Sequence, residues 1–228
     1  MKKAFKNTTL RESPYGKNLA NRDLSNEDLS NVDFESAILI DANLTGADLQ
    51  KVRFKSADLL RANLTNANLT GANLYYARLH DAILSGANLT DANLSYAKLT
   101  GVKLFKADLT GADLSHAYLN GAKLIEADLT GADLRKAKIY FADLTNANLT
   151  GANLSYVNLD MQNNFTNANL TGANLTGTSV ISEILDETTL TDAIFNKCKV
   201  DLQNLAKSKI ESADLTGVRI FREGRTYY

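Results

Sequence analysis

Leucine returns every fifth residue through most of this chain. Between Leu19 and Leu159 lie 29 consecutive positions at that spacing, occupied by 26 Leu together with Phe34, Phe54 and Ile139. A period of five excludes the two common secondary structures. In a helix a step of five residues turns about 140°, so the leucines would smear around the cylinder rather than form a stripe. In a flat sheet side chains alternate with period two, and five is odd. The neighbours of each leucine are also fixed. Two residues before it, from Val32 to Val157, stand 26 small residues, 22 Ala and four Val. Asp or Asn commonly precedes the leucine; Thr or Ser and then Gly or Asn commonly follow it. A five-residue unit cannot bury its own apolar face, so it must stack on copies of itself. The sequence predicts an all-β solenoid with Leu filling the axis and Ala beside it where space is tight.

The pattern, seen in Ala107-Asp108-Leu109-Thr110-Gly111-Ala112-Asp113-Leu114, resembles the pentapeptide-repeat family, and the resemblance runs from near Lys17 to near Ile220. It implies a right-handed quadrilateral β-helix, with four pentapeptides in each twenty-residue coil. After Leu159 the register slips by one, because Asp160-Met161-Gln162-Asn163-Asn164 holds one residue too many before Phe165. The spacing then resumes to Ile220, giving 29 + 12 = 41 axis positions. That is about ten coils, or a rod roughly 50 Å long at the strand spacing of ~4.8 Å. The expected division is an N-terminal cap at 1–16, the β-helix at 17–220 with the slip at 160–164, and a tail at 221–228. The tail serves either as a second cap or as a contact for a homodimer built through a terminal coil.

With twenty residues per coil, positions twenty apart form a column. One face then carries Asp28, Asp48, Asn68, Asn88, Asp108, Asp128 and Asn148 before its leucines. The next carries Asp33, Arg53, Asn73, Asn93, Asp113, Asp133 and Asn153. Together they hold seven carboxylates and one cation. The remaining two faces carry Arg78, Lys98, Lys138, Lys103 and Lys123 against Asp23, Asp58 and Asp143. These columns are either an acidic and a basic side of the rod or solvated faces whose Asp and Asn serve turn geometry. A further column reads Tyr76, Tyr96, His116, Lys136, Tyr156. Rings one coil apart would lie about 5 Å from each other, as a contact surface or as a stabilising ladder.

Composition narrows the function. Net charge is −1, with 25 cations against 26 anions, so no global field draws the chain to nucleic acid or to a membrane. The opening MKKAFKNTTLRESP has no apolar stretch after its lysines and does not read as a secretory signal. Asn-Leu-Thr and Asn-Leu-Ser triplets would be glycosylation acceptors along the whole rod in a eukaryotic secretory pathway. A cytoplasmic, bacterial protein is the expectation. The single cysteine, Cys198, excludes an intramolecular disulfide framework. His80 and His116 fall nearly two coils apart and cannot share a metal. No nucleophile has a base beside it, and no phosphate loop is present, so neither an enzyme nor a cofactor is expected.

Two functions follow. One is a protein-interaction scaffold of unknown partner, contacting it through the column of Tyr76, Tyr96, His116 and Tyr156 and through the irregular C-terminal coils. The other is implied by the resemblance, since the family includes quinolone-resistance proteins that imitate a DNA rod and engage gyrase. In that reading Asp28, Asp33, Asp48, Asp108, Asp113, Asp128 and Asp133 stand in for phosphates.

Overall fold

The computed structural model describes residues 13–159, 162–180, 188–201, 211–222 and 225–226. Expectations for most of the N-terminal cap, for axis residues Leu185, Leu205 and Ile210, and for the end of the tail lie outside these residues.

Each residue preceding an axis leucine forms a parallel bridge to the residue twenty positions on: Asn18 to Ile38, Asp23 to Asn43, Asp28 to Asp48, Asp33 to Arg53, and so on up the rod. Bridge residues recur every five positions and pair every twenty, so four columns of parallel bridges run up the molecule. The step lengthens to 21 where Asp143, Asn148, Asn153 and Asn158 pair with Asn164, Asn169, Asn174 and Ser179, and returns to twenty at Asn169–Thr189. The faces therefore stay in line across the extra residue. Toward the C-terminus the first column widens into true strands. β1 (Ser179–Val180) pairs in parallel with β2 (Lys199–Asp201), β2 with β3 (Arg219–Arg222), and β4 (Arg225–Thr226) turns back antiparallel on β3.

The repeat assigns a partner to every backbone N–H of a unit, which polar groups leaving water require. In the unit around Leu44, the Leu44 N–H donates to the Asn63 carbonyl of the next coil at 2.7 Å. The Thr45 N–H donates to the Asn43 side-chain oxygen at 3.2 Å. The Gly46 N–H goes to the Thr65 carbonyl, the Ala47 N–H back to the Leu44 carbonyl, and the Asp48 N–H to Glu27 of the preceding coil. The Asp or Asn before each leucine is thus the acceptor for the one N–H that the inter-coil ladder and the turn leave over. Either residue serves, which is why both occur.

The turn itself demands a left-handed residue in its third place, as type II turns do. Among the described residues that place, two after each axis position, has φ near +60°, from Gly16 (62°) to Gly217 (69°), and through Tyr76 (57°), His116 (59°) and Tyr156 (61°). Gly, Asn and Asp, which tolerate this conformation, fill most of it, and no β-branched residue occurs there.

The axis is dry. Leu29 through Leu159 are fully buried, with Phe34 and Phe54 stacked at 5.2 Å inside it. The alanines two residues earlier are buried alongside. In the later coils that small position takes polar side chains, each with a partner. The Thr178 hydroxyl donates to the Leu175 carbonyl at 2.7 Å and lies 3.3 Å from Cys198 Sγ. Asn163, beside the extra residue, accepts from the Ala142 N–H and donates to the Leu159 carbonyl. Cys198 is buried, and desolvation raises its thiol pKa.

Candidate functional site

The seven carboxylates of the two acidic faces are first of all turn acceptors. Asp28, Asp48, Asp108, Asp113, Asp128 and Asp133 accept the N–H of Ser30, Gln50, Thr110, Ser115, Thr130 and Arg135, and Asp33 that of Glu35. All are half-buried. Asn68, Asn88 and Asn148 do the same work in the same column, accepting from Thr70, Thr90 and Thr150. Among the described residues two ion pairs reach these columns: Arg53 with Asp33 across coils, and Arg135 with Asp133 at 2.5 Å. The Arg53 guanidinium hydrogen-bonded to Asp33 holds its carboxyl below the usual range. Burial pushes Asp108 upward, but the N–H and hydroxyl of Thr110 and the hydroxyl of Thr90 outweigh it, and the net shift is down.

On the sides rich in cations, two pairs of opposite charges are matched across neighbouring coils among the described residues. Arg78 meets Asp58 at 3.1 Å, Lys123 meets Asp143 at 3.7 Å, and Lys138 Nζ lies 4.6 Å from the centre of the Tyr118 ring. Exposed pairs of this kind contribute ~0–1 kcal/mol each.

The aromatic column is a corner of the rod. Tyr76 and Tyr96 stack at 5.1 Å and 17°, and Tyr96 and His116 at 4.6 Å and 3°. Tyr75, which precedes the column in sequence, stands edge-on to both Tyr76 (4.5 Å) and Tyr96 (5.8 Å), making a four-ring cluster. Desolvation there lifts the Tyr75 phenol above its ordinary value. The Tyr75-Tyr76 dipeptide was the sequence signal for this fourth ring.

Tyr156 does not join the stack. Lys136 occupies the rung between it and His116, and its ring lies over Gly177, where an added Cβ would sit 2.7 Å from ring carbons. The ring remains 58 % exposed. Between His116 and Tyr156 opens a shallow pocket of about 270 Å³ lined by Ser115, His116, Arg135, Lys136 and Tyr156. The structure thus brings Tyr76, Tyr96 and His116 together and leaves Tyr156 as the far wall of a gap. Ser115, Arg135 and Gly177 belong to this site only through folding, since nothing in their sequence context separates them from other turn residues.

Among the described residues no group of three or more His, Cys, Asp and Glu is placed to hold a metal ion, and no helix is long and apolar enough to cross a membrane.

A family profile for pentapeptide repeats matches this chain over 18–50, 47–86, 72–111, 103–139, 112–151 and 142–180. The chain belongs to the pentapeptide-repeat family. Solved structures of similar proteins come from the same family. A pentapeptide-repeat protein involved in heterocyst differentiation regulation, HetL from the cyanobacterium Nostoc, is 28 % identical, with 93 % of this chain and 92 % of that one covered and a TM-score of 0.48. A pentapeptide-repeat protein of the Arabidopsis thaliana thylakoid lumen is 25 % identical over 63 % and 72 % of the two chains, with a TM-score of 0.38. QnrB1, a plasmid-mediated fluoroquinolone resistance protein, is 20 % identical over 79 % and 90 %, with a TM-score of 0.36. Comparison with curated proteins gives no match.

Proposed function

We propose that this pentapeptide-repeat chain is a non-enzymatic rod, a right-handed quadrilateral β-helix of about ten coils, that works as a protein-interaction scaffold in the bacterial cytoplasm. The observation that supports this is the four-ring corner of Tyr75, Tyr76, Tyr96 and His116. These rings stand outside the axis and fill no part of the core. Tyrosine-rich patches on rigid supports are favoured contact surfaces, because they offer large area at little entropic cost. The test is capture of binding partners by the parent and by the Tyr96→Ala, Tyr156→Ala double variant. Loss of a partner from the variant supports the reading; equal capture removes the aromatic corner from it.

The acidic columns favour a second reading, mimicry of DNA toward a type II topoisomerase. Four of the seven carboxylates, Asp48, Asp108, Asp113 and Asp128, form no ion pair with a described residue and would present charge to a basic channel. A gyrase supercoiling assay with this protein titrated in, with and without a fluoroquinolone, tests it. Inhibition or drug protection that weakens steeply with salt supports mimicry; no effect at micromolar protein rejects it.

An end-to-end homodimer is also proposed. Leu215, on an axis position, is 43 % exposed, leaving apolar surface for a second copy. Analytical ultracentrifugation of the parent and Leu215→Glu would distinguish dimer from monomer.

A further inference from the structure

Two faces of the rod depart from the structural rule, one at Ile83, Lys103 and Lys123 and the other beside the aromatic corner. Before the leucine, Asp and Asn accept a turn N–H, and they hold that position on most of the molecule. On the face that follows the aromatic corner, the position reads Asp58, Arg78, Lys98, Tyr118, Lys138. From Arg78 to Lys138 none of these side chains can supply the acceptor, and all four are exposed. Arg78 is matched by Asp58. Lys98, and Lys136 at the corner, form no ion pair with a described residue, and Lys138 rests on the Tyr118 ring.

Aromatic rings border this face on both sides. The corner before it carries Tyr76, Tyr96, His116 and Tyr156; the corner after it carries Tyr140 and Phe141, the latter 58 % exposed. From Tyr76 to Tyr156 is four coil steps, roughly 19 Å at ~4.8 Å each.

The ring geometry selects the partner. Tyr76, Tyr96 and His116 use their flat faces on one another, so they present edges and hydroxyls outward. Ring edges carry the positive end of the aromatic quadrupole and suit carboxylate or carbonyl oxygens. Nucleobases bind by stacking on open faces, whereas this stack spends its inner faces on itself and turns one end, His116, toward the 270 Å³ pocket. That pocket lies just below the range of ~300–1,000 Å³ common for small-molecule sites, a size for one side chain.

We infer that this face, resting on the scaffold reading above, docks an acidic polypeptide segment lying along the rod. Its carboxylates meet Lys98, Lys136 and Lys138, and one of its aromatic side chains enters the pocket against His116.

The probe is a fluorescein-labelled peptide of alternating Glu and Tyr, about eight residues long, enough at ~3.3 Å per residue to span the face. Fluorescence anisotropy should show binding to the parent that weakens with salt. The Lys98→Glu, Lys136→Glu, Lys138→Glu triple variant should lose at least tenfold in affinity, while Lys51→Glu, on a corner away from this face, should keep it. Circular dichroism of both variants checks that the fold is retained. Equal binding by the triple variant, equal loss with Lys51→Glu, no binding by the parent, or tighter binding of a single-stranded oligothymidine of matching length would each overturn the inference. If the aromatic double variant still loses a captured partner while the triple variant retains it, the scaffold stands and the acidic segment does not.

Discussion

Two stretches of this rod obey the same repeat with different strictness. From Val32 to Val157 the small position beside the axis is filled by Ala or Val without exception, and every axis residue of that stretch is sealed. Beyond the extra residue the same position holds Asn163, Thr178, Thr188 and Cys198, all buried. The contrast shows what the position requires. It needs small volume, and it accepts polarity when a carbonyl or N–H is within reach, as the Leu175 carbonyl is for Thr178 in its own unit and for Cys198 one coil on. The final described coil is looser again: Leu215 is exposed where Leu109 is sealed.

The largest expected difference between the regions lies on the axis. Leu109→Ala should cost about 2–5 kcal/mol by urea unfolding, while Leu215→Ala should cost less than about 1 kcal/mol. Equal effects would mean that Leu215 is as buried in solution as Leu109. Ala112→Leu should cost about 1–3 kcal/mol by overpacking the regular half; a neutral result would show slack beside the axis. Asn163→Ala should cost about 1–3 kcal/mol, because the Ala142 N–H loses its second acceptor and the Leu159 carbonyl a donor. A change smaller than Ala112→Leu produces in the other half would sharpen the view that the later coils are the more forgiving.

The smallest effect concerns acid. Asp33, Asp108 and Asp41, the last paired with Arg61 of the next coil at 2.6 Å, all have lowered pKa values, so their folded-state pKa lies below the unfolded one. Their contribution is complete above the ordinary carboxylate value of 3.8 and is lost as pH falls through the lower folded values. Asp108→Asn keeps the turn acceptor and removes the titration, so it should leave stability at neutral pH nearly unchanged and reduce the loss on acidification. A variant as acid-sensitive as the parent would show that Asp108 contributes nothing to that limb.

Much of this was legible in the chain. The five-residue spacing of Leu19 to Leu159 placed the axis, and the Ala column placed its tight side, because both are one-dimensional consequences of stacking. The Tyr76, Tyr96, His116 column followed from the twenty-residue coil. What spacing could not reveal was conformational. Nothing in the letters says that Tyr76 and His116 sit in left-handed backbone, that Tyr156 leans onto Gly177 rather than toward Lys136, or that Arg135 turns back onto Asp133. Those outcomes depend on rotamers and on which neighbour lacks a side chain. The acidic columns were visible as charge, and their service as turn acceptors was not, since that depends on which N–H the ladder leaves unpaired.

The bridge step of twenty, lengthened once to 21, gives the surface an address system. Adding or removing one whole pentapeptide would preserve the axis and every turn, yet rotate everything downstream by a quarter turn and reassign each side chain to the neighbouring face. A single extra residue does the reverse, lengthening one coil while leaving the later columns aligned with the earlier ones. Changes that look large in length can therefore be silent in stability and drastic in recognition. The one length change this chain carries is of the kind that keeps its faces continuous.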